Sequence, residues 1–101
     1  MDKKRRQNAD KASAILASLS HPTRLLIVCL LLERERFAGE LLEDLGSTKG
    51  NISQHLRILQ QQGHIVSRKQ ANRVYYRIAD ARLGKLVAAL QGLYCPGLAL
   101  A

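Results

Sequence analysis

One stretch decides the fold of this chain: Gly46–Gly63, which reads GSTKGNISQHLRILQQQG. Ser47 is a good N-cap residue, and Gly63 suits the left-handed position at which a helix ends. Between them Ile52, Leu56 and Leu59 recur at helical spacing and form one apolar stripe. The stretch therefore predicts a short amphipathic helix.

The polar face of this helix carries hydrogen-bond donors and no acid. Its members are Thr48, Lys49, Asn51, Ser53, Gln54, His55 and Arg57. Such a face suits insertion into the major groove of DNA, where base edges offer acceptors. A solvated surface helix has the same pattern, so the rest of the chain must decide between the two.

The charge of the chain favours a polyanionic partner. The formal net charge is +8, and the sequence pI is about 10.1. Between Gly46 and Ala79 there is no Asp or Glu, whereas six basic residues occur there: Lys49, Arg57, Arg68, Lys69, Arg73 and Arg77. A basic surface of this kind attracts phosphates by releasing counterions. RNA-binding proteins share this balance, so charge alone does not select DNA.

Length and composition predict one folded, cytoplasmic domain. The chain has 101 residues, of which 47% are hydrophobic, enough for a single core. No apolar run reaches transmembrane length and no signal peptide is recognised, so we predict no membrane association. In such a protein the cysteines are expected to be reduced, ligating or redox-active rather than joined in a structural disulfide.

The first half of the chain predicts a basic arm and three helices. Residues 1–7 are expected to form a flexible arm, and residues 8–19 a first helix. A second helix, with Ser20 as N-cap and Pro22 in its first turn, runs to about Arg34 and is apolar nearly all round. A third helix, Ala38–Leu45, stops at Gly46 and makes a helix-turn-helix unit with the Ser47 helix.

The second half predicts a hairpin and a last helix. Strands are expected over residues 65–69 and 73–78, joined by a turn at residues 70–72 in which Asn72 is able to take a positive φ. Asp80 is the natural N-cap of a helix that runs to Tyr94. The predicted fold is mainly α with a β-hairpin wing, a winged helix-turn-helix over residues 8–95 followed by a tail at 96–101. The apolar last helix and the first helix are expected to form a homodimer interface, which suits paired DNA half-sites.

The chain resembles the ArsR/SmtB family of bacterial winged-helix repressors. The resemblance lies in three blocks, LSHPTRL at 19–25, ISQHLRIL at 52–59 and VYYRI at 74–78, and covers roughly residues 9–95. It implies a homodimer on double-stranded operator DNA and an inducer that lowers DNA affinity. The chain departs from the family at two places: Asn72-Arg73 stands where the family often has Gly-Arg, and Gly50, which weakens a helix, lies in the first turn of the recognition helix.

Within the DNA interface, two sets of contacts are expected. The recognition helix would present Thr48, Lys49, Asn51, Ser53, Gln54 and His55 to the major groove. The wing would reach the minor groove or phosphates with Arg68, Lys69, Asn72 and Arg73.

The metal-binding patterns of the family are missing. Its metal sensors use Cys-x-Cys in the helix before the recognition helix, but residues 40–45 contain no cysteine. Others use Asp and His ligands on the last helix, and here no histidine follows His64. No nucleophile–base pair or phosphate loop is found either. We therefore predict no metal site, no cofactor and no enzyme activity.

The two cysteines, Cys29 and Cys95, match the persulfide- and redox-sensing branch of the family, which includes the BigR, SqrR and HlyU types. The match implies that the pair responds to reactive sulfur species or oxidants. A buried cysteine is also simply a small hydrophobe. The leading hypothesis is a repressor that releases its operator when persulfide or polysulfide bridges the pair. The alternatives are a general thiol sensor that forms a plain disulfide, and a DNA-binding module without an inducer.

Overall fold

The computed structural model describes residues 1–94, so Cys95 and the tail at 96–101 lie outside the described residues. The described part forms five helices and one three-stranded antiparallel sheet. In chain order these are α1 (Lys3–Leu19), α2 (Pro22–Glu33), β1 (Arg36–Phe37), α3 (Ala38–Leu45), α4 (Lys49–Gln61), β2 (Ile65–Gln70), β3 (Arg73–Ile78) and α5 (Ala81–Tyr94). The predicted winged helix-turn-helix is confirmed.

Helix α2 lies in the middle of the core, as its nearly continuous apolar sequence predicts. It packs against α1, α3, α4, α5 and β3. Ile27, Val28 and Cys29 have no exposed surface. Full burial of each large aliphatic side chain contributes about 1.5–3 kcal/mol, so this helix holds the other elements together.

The starts of three helices differ from the predictions because another polar residue takes the N-cap position. Helix α1 begins at Lys3, since the Asp2 carboxylate accepts from the backbone N–H of Arg5. Residues 3–7 of the predicted flexible arm are therefore helical, although their side chains are exposed. The N-cap of α2 is His21 rather than Ser20, and the N-cap of α4 is Thr48 rather than Ser47.

Two glycines and one aspartate set the helix ends that flank the functional region. Gly46 has φ 62° and ends α3, and Gly63 has φ 77° just after α4. Both are left-handed positions that glycine occupies at little cost. The Asp80 carboxylate accepts from the Arg82 N–H at 3.0 Å, as expected of the residue that caps α5.

The wing is a hairpin of β2 and β3, with a third strand at its edge. β1 pairs with β3 in the register Phe37 with Tyr75, and the strand order is β1-β3-β2. This short strand was not predicted. The positive φ in the turn lies at Ala71 (56°) and not at Asn72, so that prediction was wrong. The two-residue loop needs a left-handed first residue to match the strand twist.

Over residues 1–94, none of the helices is by itself both long and apolar enough for a membrane span. Helices α1 and α2 pass that length and composition test only as a pair, bent by 99° between them.

Candidate nucleic-acid interface

Helix α4 separates a buried face from an exposed polar face. Ile52, Leu56 and Leu59 are at most 3% exposed. Lys49, Ser53, Gln54 and Arg57 are exposed on the other side. The apolar stripe that defines the helix in the sequence therefore anchors it in the core and leaves a row of donors in solvent.

The first turn of α4 is held by its own polar side chains. The Thr48 Oγ1 atom accepts from the backbone N–H of Asn51 at 3.2 Å. The Asn51 Nδ2 atom donates to the Ser47 Oγ at 2.8 Å. Thr48 is exposed and Asn51 is half-buried, so both residues stabilise the helix start at the end that the sequence predicts to meet DNA.

His55 does not belong to the exposed face of α4. Its side chain is 6% exposed, and its ring lies 4.3 Å from the ring of His21, centroid to centroid. Arg24 donates to the His55 Nδ1 at 3.2 Å, and because arginine has no acceptor, this nitrogen carries no proton. The prediction that His55 faces the DNA is wrong, because its side chain is buried on the core-facing side of α4.

His55 belongs to a polar seam that sequence reasoning missed, made of Ser18, His21, Arg24, His55 and His64. Arg24 also donates from Nε to the Ser18 carbonyl at 2.6 Å. The Ser18 Oγ lies 3.0 Å from the His64 Nε2. The seam therefore joins the end of α1, the start of α2, helix α4 and the residue before β2.

Burial lowers the pKa of both inner histidines. For His55, desolvation is the largest cause, and the nearby His21 and Arg24 lower its pKa further. For His64, desolvation lowers the pKa while Asp80 opposes it. Among residues 1–94, the His64 Nδ1 has no hydrogen-bond partner. Burial therefore favours the neutral form of the His55 and His64 imidazoles.

On the wing, Arg73 is held by an aromatic ring. Its guanidinium carbon lies 4.2 Å from the centroid of Phe37, and Phe37 packs edge-on against Tyr75 at 5.8 Å. Lys69 and Asn72 are exposed beside it. The cation–π contact orients Arg73 without neutralising it. Phe37 is a positioning residue that sequence reasoning missed, because β1 has only two residues and thus no readable period.

Arg68 is already engaged within the chain. Its Nε donates to one oxygen of Glu35 at 3.0 Å, its Nη2 donates to the other oxygen, and it lies over the ring of Tyr75. This pairing lowers the pKa of Glu35. The structure thus separates Arg68 from the other predicted wing contacts, because its charge is compensated.

Several acids near α2 and α3 are likewise paired with arginines. Arg34 pairs with Glu40 at 2.6 Å. The buried Arg36 pairs with Glu33 and Asp44, and donates to the Leu30 carbonyl at 3.0 Å. These pairs compensate the charges of Glu33, Glu40 and Asp44 within the protomer.

The exposed residues of α4 and the wing meet at one cleft. Lys49 and Ser53 from α4 line it together with Asn72 and Arg73 from the wing. The recognition helix and the hairpin tip therefore share one face of the molecule, as two contact sets on one duplex require.

Of the two predicted sensor cysteines, the structure describes only Cys29. This residue has no exposed surface and lies on α2. The predicted partner, Cys95, lies outside the described residues. Within residues 1–94, no group of three or more His, Cys, Asp or Glu side chains is arranged to hold a metal ion.

Comparison with known proteins identifies the family. Residues 21–67 match the model of the bacterial regulatory protein arsR family. The biofilm growth-associated repressor of Xylella fastidiosa is 35% identical over 89 residues, which are 88% of this chain and 78% of that protein. That relative is named as a repressor, and the matching family is one of bacterial regulatory proteins.

Two solved structures have the same architecture. Reduced HlyU from Vibrio cholerae superposes with a TM-score of 0.88 at 32% identity, over 93% of this chain and 99% of that one. A homodimeric winged helix-turn-helix DNA-binding domain from Mycobacterium bovis superposes with a TM-score of 0.79 at 26% identity, over 92% and 86% of the two chains. Fold, basic face and relatives agree: this chain belongs to the ArsR family of bacterial transcriptional regulators.

Proposed function

We propose that the chain is a homodimeric repressor that binds operator DNA through α4 and the wing. The observation that carries this proposal is the shared acid-free face of Lys49, Ser53, Asn72 and Arg73. Thr48, Asn51 and Gln54 extend this face along α4, and Lys69 extends it along the wing. We assign α4 to the major groove and the wing to the minor groove or phosphates.

The homodimer is supported by apolar side chains that one protomer leaves exposed. Leu16 of α1 is 56% exposed, and Leu93 and Tyr94 at the end of α5 are 74% and 77% exposed. Only Ser18 and Leu19 of α1 are buried, so most of that helix has no partner surface within the protomer. The relative from Mycobacterium bovis is described as homodimeric. A second copy would cover both helices and present two recognition helices to a near-palindrome.

We propose that Cys29 and Cys95 form the sulfur-sensing pair. Cys29 lies on α2, which packs against α5, and Cys95 directly follows α5 in the sequence. The V. cholerae relative has been solved in a form described as reduced, which fits a regulator whose thiols change state. Because Cys29 is fully buried, we assign the first attack to Cys95 and the resolving step to Cys29.

The bridging chemistry balances with a polysulfide as the oxidant. The Cys95 thiolate attacks an inner sulfur of HSSSSH and expels HS⁻. The Cys29 thiolate then attacks the sulfur next to the terminal one and expels a second HS⁻. Two thiols and one tetrasulfide give a bridge with two inserted sulfur atoms and two molecules of hydrogen sulfide, and the polysulfide accepts the two electrons.

A bridge of this kind would tie the central helix α2 to the end of α5. In the proposed dimer α5 lies at the interface, so the tie changes the angle between protomers and the spacing of their recognition helices. A coupling free energy of about 1–3 kcal/mol changes DNA affinity by roughly 5–150-fold, which is enough for a switch.

The test combines intact mass with DNA affinity. The reduced full chain is treated separately with polysulfide and with a disulfide-forming oxidant, and binding is measured to a duplex that the reduced protein selects from a random pool. After polysulfide we expect a Cys29–Cys95 bridge with inserted sulfur atoms and a loss of DNA affinity. After the disulfide-forming oxidant we expect no loss of DNA affinity. Cys29→Ser and Cys95→Ser should bind DNA normally and not respond.

Other outcomes contradict parts of the proposal. Equal loss of affinity with a plain disulfide after both reagents would make the protein a general thiol sensor. If neither reagent changed DNA affinity, Cys29 would be a small hydrophobic residue of the core, and the chain would be a DNA-binding module without an inducer. If the reduced protein selected no duplex at all, the proposal that the chain is a DNA-binding repressor would be wrong.

A further inference from the structure

A cavity opens between the recognition helix and the wing. Its volume is about 430 Å³, within the range of small-molecule sites. Its walls come from α3, α4 and β3, with Phe37 of β1 and Asn72 of the hairpin turn. A ligand in this cavity would touch both parts of the proposed DNA interface at once.

The floor of the cavity is apolar and formed by residues that the fold holds in place. Ile52 and Leu56 are nearly fully buried, and Leu42, Val74 and Tyr76 are half-buried. The ring of Phe37 takes its position because Gly39 has no side chain: a Cβ there would lie 2.7 Å from the Phe37 Cε2. Half-buried aliphatic and aromatic side chains gain free energy when a ligand covers them.

The rim of the cavity is cationic. Lys49 and Arg73 line it, and none of the lining residues within 1–94 is Asp or Glu. Neither cation forms an ion pair with any of residues 1–94. The Ser53 hydroxyl and the Asn72 amide add hydrogen-bonding groups beside them. Two uncompensated cations beside an apolar floor would therefore suit a small ligand that has an apolar part and one anionic group.

We propose that this cavity binds a small organic carboxylate with an aromatic or branched body, and that the ligand competes with DNA. Arg73 and Lys49 would hold the carboxylate by charge-assisted hydrogen bonds, while the body covers Leu42, Val74 and Tyr76. The proposed DNA contacts Ser53 and Asn72 line the same cavity, so ligand and duplex exclude each other. This input to the regulator is independent of the cysteines.

The test uses 2-naphthoate as the probe, with 2-naphthalenemethanol as its uncharged counterpart. Each is titrated into the reduced full chain while the amide resonances are followed by NMR. We expect shifts centred on Leu42, Ile52 and Val74, and about tenfold tighter binding of the carboxylate than of the alcohol. Cys29→Ser should bind the probe as the wild type does.

Charge variants separate the rim from general attraction to a basic protein. Lys49→Gln and Arg73→Gln should each weaken 2-naphthoate binding about tenfold while binding of the alcohol stays the same. Arg57→Gln removes an equal charge from the exposed face of α4 outside the cavity and should leave the affinity for the probe unchanged. The NMR spectrum of each variant reports whether it is folded.

Three results would overturn the inference. The first is the absence of shifts at the cavity residues, and the second is equal weakening by Arg57→Gln. The third is simultaneous binding, detected if 2-naphthoate at saturation leaves the anisotropy of a bound labelled duplex unchanged. DNA binding without probe is measured in the same assay, so loss of the ligand site is distinguishable from failure of the repressor.

Discussion

The two arginines of the wing differ in what already engages them. Arg68 binds both carboxylate oxygens of Glu35, whereas Arg73 stacks on Phe37 and has no carboxylate partner within residues 1–94. A guanidinium that is paired with a carboxylate brings little net charge to a phosphate. A count of basic residues therefore overestimates the number of phosphate contacts that the wing can make.

We expect Arg73→Ala to weaken binding to all duplexes and to reduce the slope of log affinity against log salt by about one. The double variant Arg68→Ala with Glu35→Ala, the matched control on the same face, should change the slope much less, because it removes an ion pair that has no net charge. Filter binding at several salt concentrations measures both slopes. Equal slopes for the two variants would contradict the distinction between these arginines.

At the same scale, Gln54 tests direct base readout. It is exposed on α4 and flanked by the exposed Ser53. Gln54→Ala should alter the preferred base at one position, with a loss of about 1–3 kcal/mol in discrimination, and leave non-specific binding unchanged. Selection from a random duplex pool measures the preference. An equal loss of specific and non-specific affinity would remove Gln54 from base readout.

At the scale of elements, the polar seam fastens the recognition helix to the rest of the domain. His55 of α4 contacts His21 and Arg24, and Arg24 reaches back to Ser18 at the end of α1. These directed hydrogen bonds add to the apolar packing of Ile52, Leu56 and Leu59, which anchors α4 in the core. The seam therefore sets the orientation of α4, and with it the orientation of the whole DNA-binding face.

The lowered pKa values of His55 and His64 predict a pH dependence of stability. Both imidazoles therefore bind a proton less readily in the folded state than in the unfolded chain, whose histidines titrate near pH 6.5. Because the unfolded state then binds more protons, the free energy of unfolding should fall as the pH drops below about 6.5 and be constant above it. Denaturant titrations at pH 7.5 and 5.5 measure this change, and His55→Gln with His64→Gln should abolish most of it. An unchanged pH dependence in the double variant would contradict the assignment.

Most element bounds could be predicted because glycine and proline set them. Gly46 and Gly63 ended their helices where predicted, and α3 has the predicted bounds. The N-caps were harder, since Ser20 competes with His21 and Ser47 with Thr48, and only the local backbone decides between neighbours. Strand β1 exists through its pairing with β3, a non-local interaction that no local pattern reveals.

The sequence also predicted part of the candidate site. Ser53 and Gln54 lie on the exposed face because the apolar stripe fixes the opposite one. His55 was misassigned although it lies three residues after Ile52 and four before Leu59, a spacing that places it on the buried face. The cavity and the pairing of Arg68 depend on contacts between distant segments, so the sequence alone did not reveal them.

At the scale of the whole molecule, helix α1 tests the dimer. We expect Leu16→Glu to shift the protein towards monomer and to lower operator affinity by more than about tenfold, because a charge buried in an apolar interface is costly. Ala14→Glu, an equal charge on another side of the same exposed helix, is the control and should stay dimeric. Sedimentation velocity measures the assembly. A dimeric Leu16→Glu would place the interface elsewhere.

The complete burial of Cys29 has a kinetic consequence for the proposed switch. A thiol without exposed surface reacts only during transient opening of its surroundings, so the second step cannot be faster than that opening. At high polysulfide concentration the rate of bridging should reach a plateau that equals the opening rate of the core around α2. The response time of the regulator would then be a folding property of the chain, and substitutions that loosen the core would quicken the response without changing the chemistry of either thiol.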